Sequence, residues 1–217
     1  MAGQCFNSPV SALQLARARP VREVGQAIES DRILDAARAL LLEEGLPRMT
    51  MTAIAERAGV SRATLYRRWS NVTGVVADVS TREWNRLTER AAAQAEGNAR
   101  EKVVGTVGRV VRQMRSHPLL RVLIDDSPDF LTPYQVRRQG QVTAFHLVVI
   151  EDAVRRGIAD GSIRRGDPVA LAQAVVLMSW SFVTTAPAIV GAPEAVGPEL
   201  DALDAELALA VDRYLAP

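Results

Sequence analysis

From Ser30 onward the apolar positions recur at helical rather than strand spacing. Ile33, Ala37, Leu40 and Leu41 fall on one face of a first helix, which Ser30 can cap and Gly45 can end in a left-handed turn. After Leu46-Pro47-Arg48-Met49, Thr50 is placed to cap a short second helix, Met51 to Ala58, with Ile54, Ala55 and Ala58 inward and Gly59 at its end. Val60 then points inward, and Ser61 caps a third helix predicted over Arg62 to Trp69. Leu65 and Trp69 face the core of that helix at i and i+4.

Two short helices joined by a glycine-containing turn, with a preceding helix to pack on, form a helix-turn-helix unit. With Leu65 and Trp69 inward, Arg62, Ala63, Thr64, Tyr66, Arg67 and Arg68 project from the outer surface or flank of the third helix. That surface is basic, hydroxylated and free of acids, as contacts to phosphates and base edges require. The chain's formal net charge of +1 hides this concentration. From Arg48 to Arg68 there are five arginines and one acid, Glu56, so the remainder is acidic on balance. The plain alternative is a solvated face on a small helical bundle.

Beyond Ser70 the pattern is a succession of helices with no convincing strand. The fourth carries Val72, Val75, Val76, Val79, Trp84, Leu87 and Ala91 inward and runs to about Glu96. The fifth carries Val103, Val107, Val110, Val111 and Met114 and stops at His117-Pro118, with a short helix after it. A loop from Asp125 to Pro133 leads to a long helix, about Tyr134 to Asp160, with Val142, Phe145, Val149 and Ala153 on one side and Gly161 closing it. Asp167-Pro168 opens a stretch without charge up to Pro193, long enough in principle to span a bilayer. Gln173, Ser179, Ser181, Thr184 and Thr185 make it too polar for that, and Pro187 stops the helix early. A helix buried between a core and a partner subunit fits better. The final helix aligns Leu200, Leu203, Leu207, Val211 and Leu215. These last two helices offer more apolar surface than one small domain covers, which predicts a homodimer interface; the plain alternative is that they only complete the monomer's core.

The runs Ile33-Leu-Asp-Ala-Ala-Arg and Met51-Thr-Ala-Ile-Ala-Glu-Arg-Ala-Gly-Val-Ser-Arg-Ala-Thr-Leu-Tyr-Arg-Arg-Trp resemble the signature of the tetracycline-repressor (TetR) family, over about fifty residues from Asp31 to Val79. The resemblance implies an all-α homodimer. Its N-terminal three-helix domain reads a palindromic operator in double-stranded DNA, and a larger helical domain binds a small effector and dimerises. By the same resemblance Thr50 and Thr52 contact phosphate, Arg62 and Ala63 approach base edges, and Thr64, Tyr66 and Arg67 touch the backbone or neighbouring bases. Ser61 and Arg68 complete the expected DNA-binding set. An arginine can hold guanine O6 and N7 together, whereas a tyrosine hydroxyl on phosphate fixes register. One position departs from the family: Val72 stands where many members carry a phosphate-binding lysine, which shifts the charge expected there to Arg48, Arg68 or the N-terminal arm. Gly74 weakens the start of the same helix.

The expected division is a flexible basic arm over 1–27, a DNA-binding domain over 28–75 and an effector-binding and dimerisation domain over 76–217. Arg17, Arg19, Arg22, Pro9 and Pro20 lie in the arm, which is either plain disorder or a reach to phosphates and the minor groove. Candidate effector-pocket walls are Trp84, Met114, His117, Phe130, Tyr134, Phe145, His146, Met178, Trp180 and Phe182. Gln139, Gln141 or Ser179 are further polar candidates, and the ligand should be small and mostly apolar. Each of these side chains has a purely structural reading as core. No catalytic residue, metal or cofactor is expected: a phosphate loop, paired metal ligands and a nucleophile–histidine arrangement are all missing. A single cysteine, Cys5, and the want of a secretion signal fit a reducing cytoplasm and no membrane association. A ligand-released repressor is the leading reading. A ligand-dependent activator or corepressor-type regulator, and a small helical enzyme, are the alternatives.

Overall fold

The computed structural model describes residues 21–131, 141–192 and 194–217, and every regular element among them is helical. The head comprises α1 (Val21–Glu44), a 3-10 turn (Leu46–Arg48), α2 (Met51–Ala58) and α3 (Arg62–Tyr66). The body comprises α4 (Val72–Ala93), α5 (Ala99–Arg115), α6 (Pro118–Asp126), α7 (Gln141–Asp160), α8 (Pro168–Thr184), α9 (Ala186–Val190) and α10 (Pro198–Leu215). No described helix is long and apolar enough to cross a membrane.

Local chemistry sets most of these boundaries. The side chains of Thr50, Ser61, Asn71 and Asp167 each accept a backbone N–H at the start of α2, α3, α4 and α8, which satisfies donors the first turn leaves open. Asn98 and Glu101 do this reciprocally in a capping box at α5. Gly59 ends α2 in the left-handed region (φ 62°, ψ 38°), which reverses the chain into α3. Gly45 ends α1 differently, at φ 76° and ψ 159°, outside the left-handed helical basin. It lies against the Asp126 carboxylate, where a Cβ would come within 2.5 Å of Oδ2.

Three differences from the sequence pattern stand out. Helix α1 starts at Val21, directly after Pro20, instead of at Ser30, so residues 21–27 of the expected arm are helical. Ser30 is not a cap: its hydroxyl accepts a hydrogen bond from Arg68. Residues 1–20, with Arg17 and Arg19, lie outside the described residues. Helix α3 ends at Tyr66, three residues early, but the Arg68 and Trp69 amides both donate to the Leu65 carbonyl, and that turn still delivers Trp69 inward. The expected loop after Asp125 is largely helical: α6 runs to Asp126 and residues 128–131 are helical again. Tyr134 and Gln139, and with them the predicted start of the long helix, lie outside the described residues.

The head is built on a small apolar core of Ile33, Ala37, Leu40 and Leu41 from α1, Ile54 and Ala58 from α2, and Leu65 and Trp69 from α3 and its turn. In the body α5 is central, packed by α4, α7, α8 and α10. Helix α7 buries Ile150 and Val154 most deeply, while the predicted stripe of Val142, Phe145, Val149 and Ala153 is only half-buried. Between α5 and α10 the core contains an ion pair: Arg115 and Asp204 bond bidentately at 2.8 Å through both guanidinium Nη atoms, at 2% and 4% exposure. Arg115 also donates to the carbonyls of Ala195 and Phe182, at 3.3 and 3.4 Å, so one cation ties α5 to α8, α10 and the segment between them.

Removing one member of such a pair strands the other charge in the core. Asp204→Ala is therefore expected to cost about 3–5 kcal/mol in urea unfolding, whereas the double replacement Arg115→Met with Asp204→Leu costs markedly less. Equal losses in both variants would mean that packing, and not the stranded charge, sets the penalty.

Candidate functional site

Two places concentrate chemistry. The first is the outer surface of α3. Its inward residue Leu65 is fully buried, and this leaves Ser61, Arg62, Ala63, Tyr66, Arg67 and Arg68 exposed, with Tyr66 at 54% and Thr64 half-buried. Thr50 is exposed and Thr52 half-buried at the start of α2. The hydroxyls of Thr50 and Ser61 accept from the amides of Ala53 and Thr64, at 3.0 and 3.1 Å. The Thr50 proton stays available to donate outward. Arg68 is held back against the head by its bond to Ser30 and its guanidinium lies 5.9 Å from the Trp69 ring centre. Val72 is half-buried at the first position of α4, packed against the core, and Asn71 offsets the weak Gly74 by accepting its amide at 2.9 Å.

The second place is a cavity of about 50 Å³ bounded by α4, α5, α7 and α8. Of the sequence candidates, Met114, His146, Trp180 and Ser179 reach it. Trp84, His117, Phe130, Phe145, Met178 and Phe182 do not. Trp84 and Phe130 fill core, while Met178 and Phe182 pack on it. His117 meets Trp84 edge to face at 5.0 Å and caps α6 by accepting the Leu119 amide on Nδ1. The Phe145 ring lies beside His146 at 6.4 Å. The space opens instead among small side chains that the sequence reading passed over, chiefly Val107, Val110, Val111, Val175, Val176 and Val183, with Thr88 and Thr106.

Thr88 and His146 meet on the cavity wall, with Oγ1 and Nε2 2.9 Å apart. Burial pushes the His146 imidazole down to about 4, so it is neutral near pH 7. His117 is lowered too, again first by burial. Among the described residues no group of His, Cys, Asp and Glu side chains is arranged to hold a metal.

Comparison with known proteins decides what kind of molecule this is. Residues 33–79 match the family of bacterial regulatory proteins of the tetR type. An uncharacterized HTH-type transcriptional regulator of Mycobacterium bovis is 32% identical over 193 residues, which cover 85% of this chain and 93% of that protein. The chain belongs to the TetR family of transcriptional regulators. It is a DNA-binding, helix-turn-helix regulator. The HTH-type transcriptional repressor KstR of Mycolicibacterium smegmatis is 37% identical over 92 residues, 41% of this chain and 45% of KstR. The TetR-family fold extends through the body: the repressor QsdR of R. erythropolis superposes with a TM-score of 0.64 at 24% identity, covering 85% of this chain and 95% of that one.

In this TetR-family chain the two places are joined by α4. The Trp69 indole Nε1 donates to Asp78 Oδ2 at 2.8 Å, and Arg82, further along α4, pairs with Asp31 and Asp35 of α1 at 3.3 and 2.7 Å. Thr88, on the same helix, lines the cavity. Because His146 titrates near 6.5 when unfolded and near 4 when folded, the unfolded chain takes up the proton first as pH falls. Its contribution to stability is intact above about 6.5 and declines from there to about 4. Between pH 7 and pH 4.5 the wild type is expected to lose about 2 kcal/mol more than His146→Gln in urea unfolding. Parallel losses in the two proteins would show that His146 is not the titrating group.

Proposed function

We propose that this chain is a repressor that holds a palindromic operator as a homodimer through α3, and that a small, mostly apolar molecule entering the cavity releases it. What carries the reading is the acid-free face of α3, with Arg62, Ala63, Tyr66 and Arg67 turned outward by the burial of Leu65 and Trp69. Arg62 and Ala63, in the first turn, approach base edges in the major groove, while Thr50, Thr52, Ser61, Thr64, Tyr66, Arg67 and Arg68 set register on the phosphates. With Val72 turned to the core, exposed Arg48 takes over part of the charge that a lysine at 72 would bring.

The homodimer reading is supported by the large apolar side chains left exposed late in the chain. Leu177 of α8 is 73% exposed, Ile189 of α9 75% and Val196 before α10 59%; Val169 adds to α8, and Leu209 is exposed on α10. Covering α8 and α10 with their copies removes this surface from water and sets the two α3 helices about one DNA turn apart, roughly 34–36 Å. Release follows from position: a guest seated among α4, α5, α7 and α8 that displaces α4 favours another spacing of the heads.

Selection of bound sequences from random duplex DNA, repeated with candidate small molecules, tests the whole reading. A palindrome that vanishes with one compound is expected; no enriched sequence at moderate salt overturns it. With that operator in hand, Arg62→Ala is expected to cost about 1–3 kcal/mol and to relax preference at one base position, whereas Tyr66→Phe weakens all sequences alike. Anisotropy titrations against single-base operator variants separate the two behaviours, and unchanged affinity of Arg62→Ala would contradict its assigned contact.

A further inference from the structure

We propose that the cavity takes an uncharged, compact, apolar molecule that carries a hydroxyl group, an alcohol or a phenol, and that Thr88 and His146 together read that hydroxyl. This rests on the reading of the cavity as the effector site and adds the chemistry of what enters it.

None of the described side chains around the cavity is charged. A carboxylate or ammonium guest would therefore give up its water for no counter-ion. The valines and Met114 supply most of the lining, so most of the guest must be apolar. Polar groups are few. Ser179 Oγ donates to the Val175 carbonyl at 2.6 Å, which commits its proton within α8. Thr88 Oγ1 and His146 Nε2 bond to one another across the α4–α7 contact.

The partner that this pair selects follows from counting protons. A neutral imidazole carries one N–H. If that proton is on Nε2, it is given to Thr88 Oγ1, and the threonine O–H is left to donate to the guest. If Nε2 bears the lone pair, the threonine donates to it, and Thr88 Oγ1 keeps lone pairs that accept from the guest. A hydroxyl both donates and accepts, so it satisfies Thr88 in either tautomer. A carbonyl or ether suits only one, and a hydrocarbon suits neither.

The experiment uses the purified full-length chain and four probes on one skeleton: benzyl alcohol, benzoate, benzylammonium and toluene. Binding is measured by calorimetry at pH 7.5, alongside the thermal midpoint. Benzyl alcohol is expected to bind at least about tenfold more tightly than either ion and to raise the midpoint. Thr88→Val should weaken benzyl alcohol about three- to tenfold, the range of one hydrogen bond, and leave toluene unchanged, while Thr88→Ser restores the preference. Equal or tighter binding of benzoate or benzylammonium overturns the proposal. So does the loss of no preference in Thr88→Val while it remains folded, or the failure of benzyl alcohol to bind. Operator affinity is measured separately on the same preparation. If benzyl alcohol binds with the stated preference while no member of a wider alcohol and phenol series changes operator affinity, the chemistry of the cavity stands and its role in release falls.

Discussion

Trp69 has to be inside for α3 to present its outer face, yet its indole N–H cannot be buried without an acceptor, since a lost partner there costs about 1–3 kcal/mol. Asp78 provides the acceptor, and Asp78 belongs to α4. The recognition helix is therefore fixed to the helix that leaves the head as well as to the helices beneath it. Arg82 repeats the attachment by reaching Asp31 and Asp35 of α1, with Glu83 pairing to Arg38 at 3.0 Å. Ten residues beyond Asp78, about 15 Å along the helix axis, Thr88 forms part of the cavity wall. The contacts that join this helix to the head are hydrogen bonds and ion pairs, so on the proposed reading a displacement of α4 at that wall reaches α3.

The other side of the cavity is anchored just as firmly. Helix α5 lends it Thr106, Val107, Val110, Val111 and Met114, and the next residue, Arg115, is locked to Asp204 on α10 and to the carbonyl of Phe182 on α8. The cavity thus lies between a wall tied to the elements that carry the exposed apolar face and a wall tied to the DNA-reading head. On the proposed reading, a guest that separates the walls acts on the relative position of the two functional surfaces. A buried ion pair is a poor source of net stability compared with apolar packing, but it specifies one geometry, because any shift of α5 against α10 breaks two bonds at once.

The head was legible because its determinants are local. Thr50, Ser61 and Gly59 act within four residues of where they stand, and helix α2 runs from Met51 to Ala58 as the sequence pattern predicts. The start of α1 is less so: Ser30 has the chemistry of a cap, but the helix runs through it and Arg68 draws its hydroxyl into a contact 38 residues away. The Arg115–Asp204 pair spans 89 residues and leaves no periodic trace in the chain. The cavity was legible only in part. Met114, His146, Ser179 and Trp180, candidates by their chemistry, do line it, whereas the valines of α5 and α8 that make up most of its wall carry no chemical signal to distinguish them from other core positions.

The coupling carried by α4 is open to direct measurement by amide hydrogen exchange of the full-length chain, with and without a selected operator duplex. If α4 joins head and cavity, operator binding changes exchange around Thr88 on α4 and His146 on α7 as well as over residues 50–69. A response confined to the head, with the cavity walls exchanging identically in both states, would contradict it.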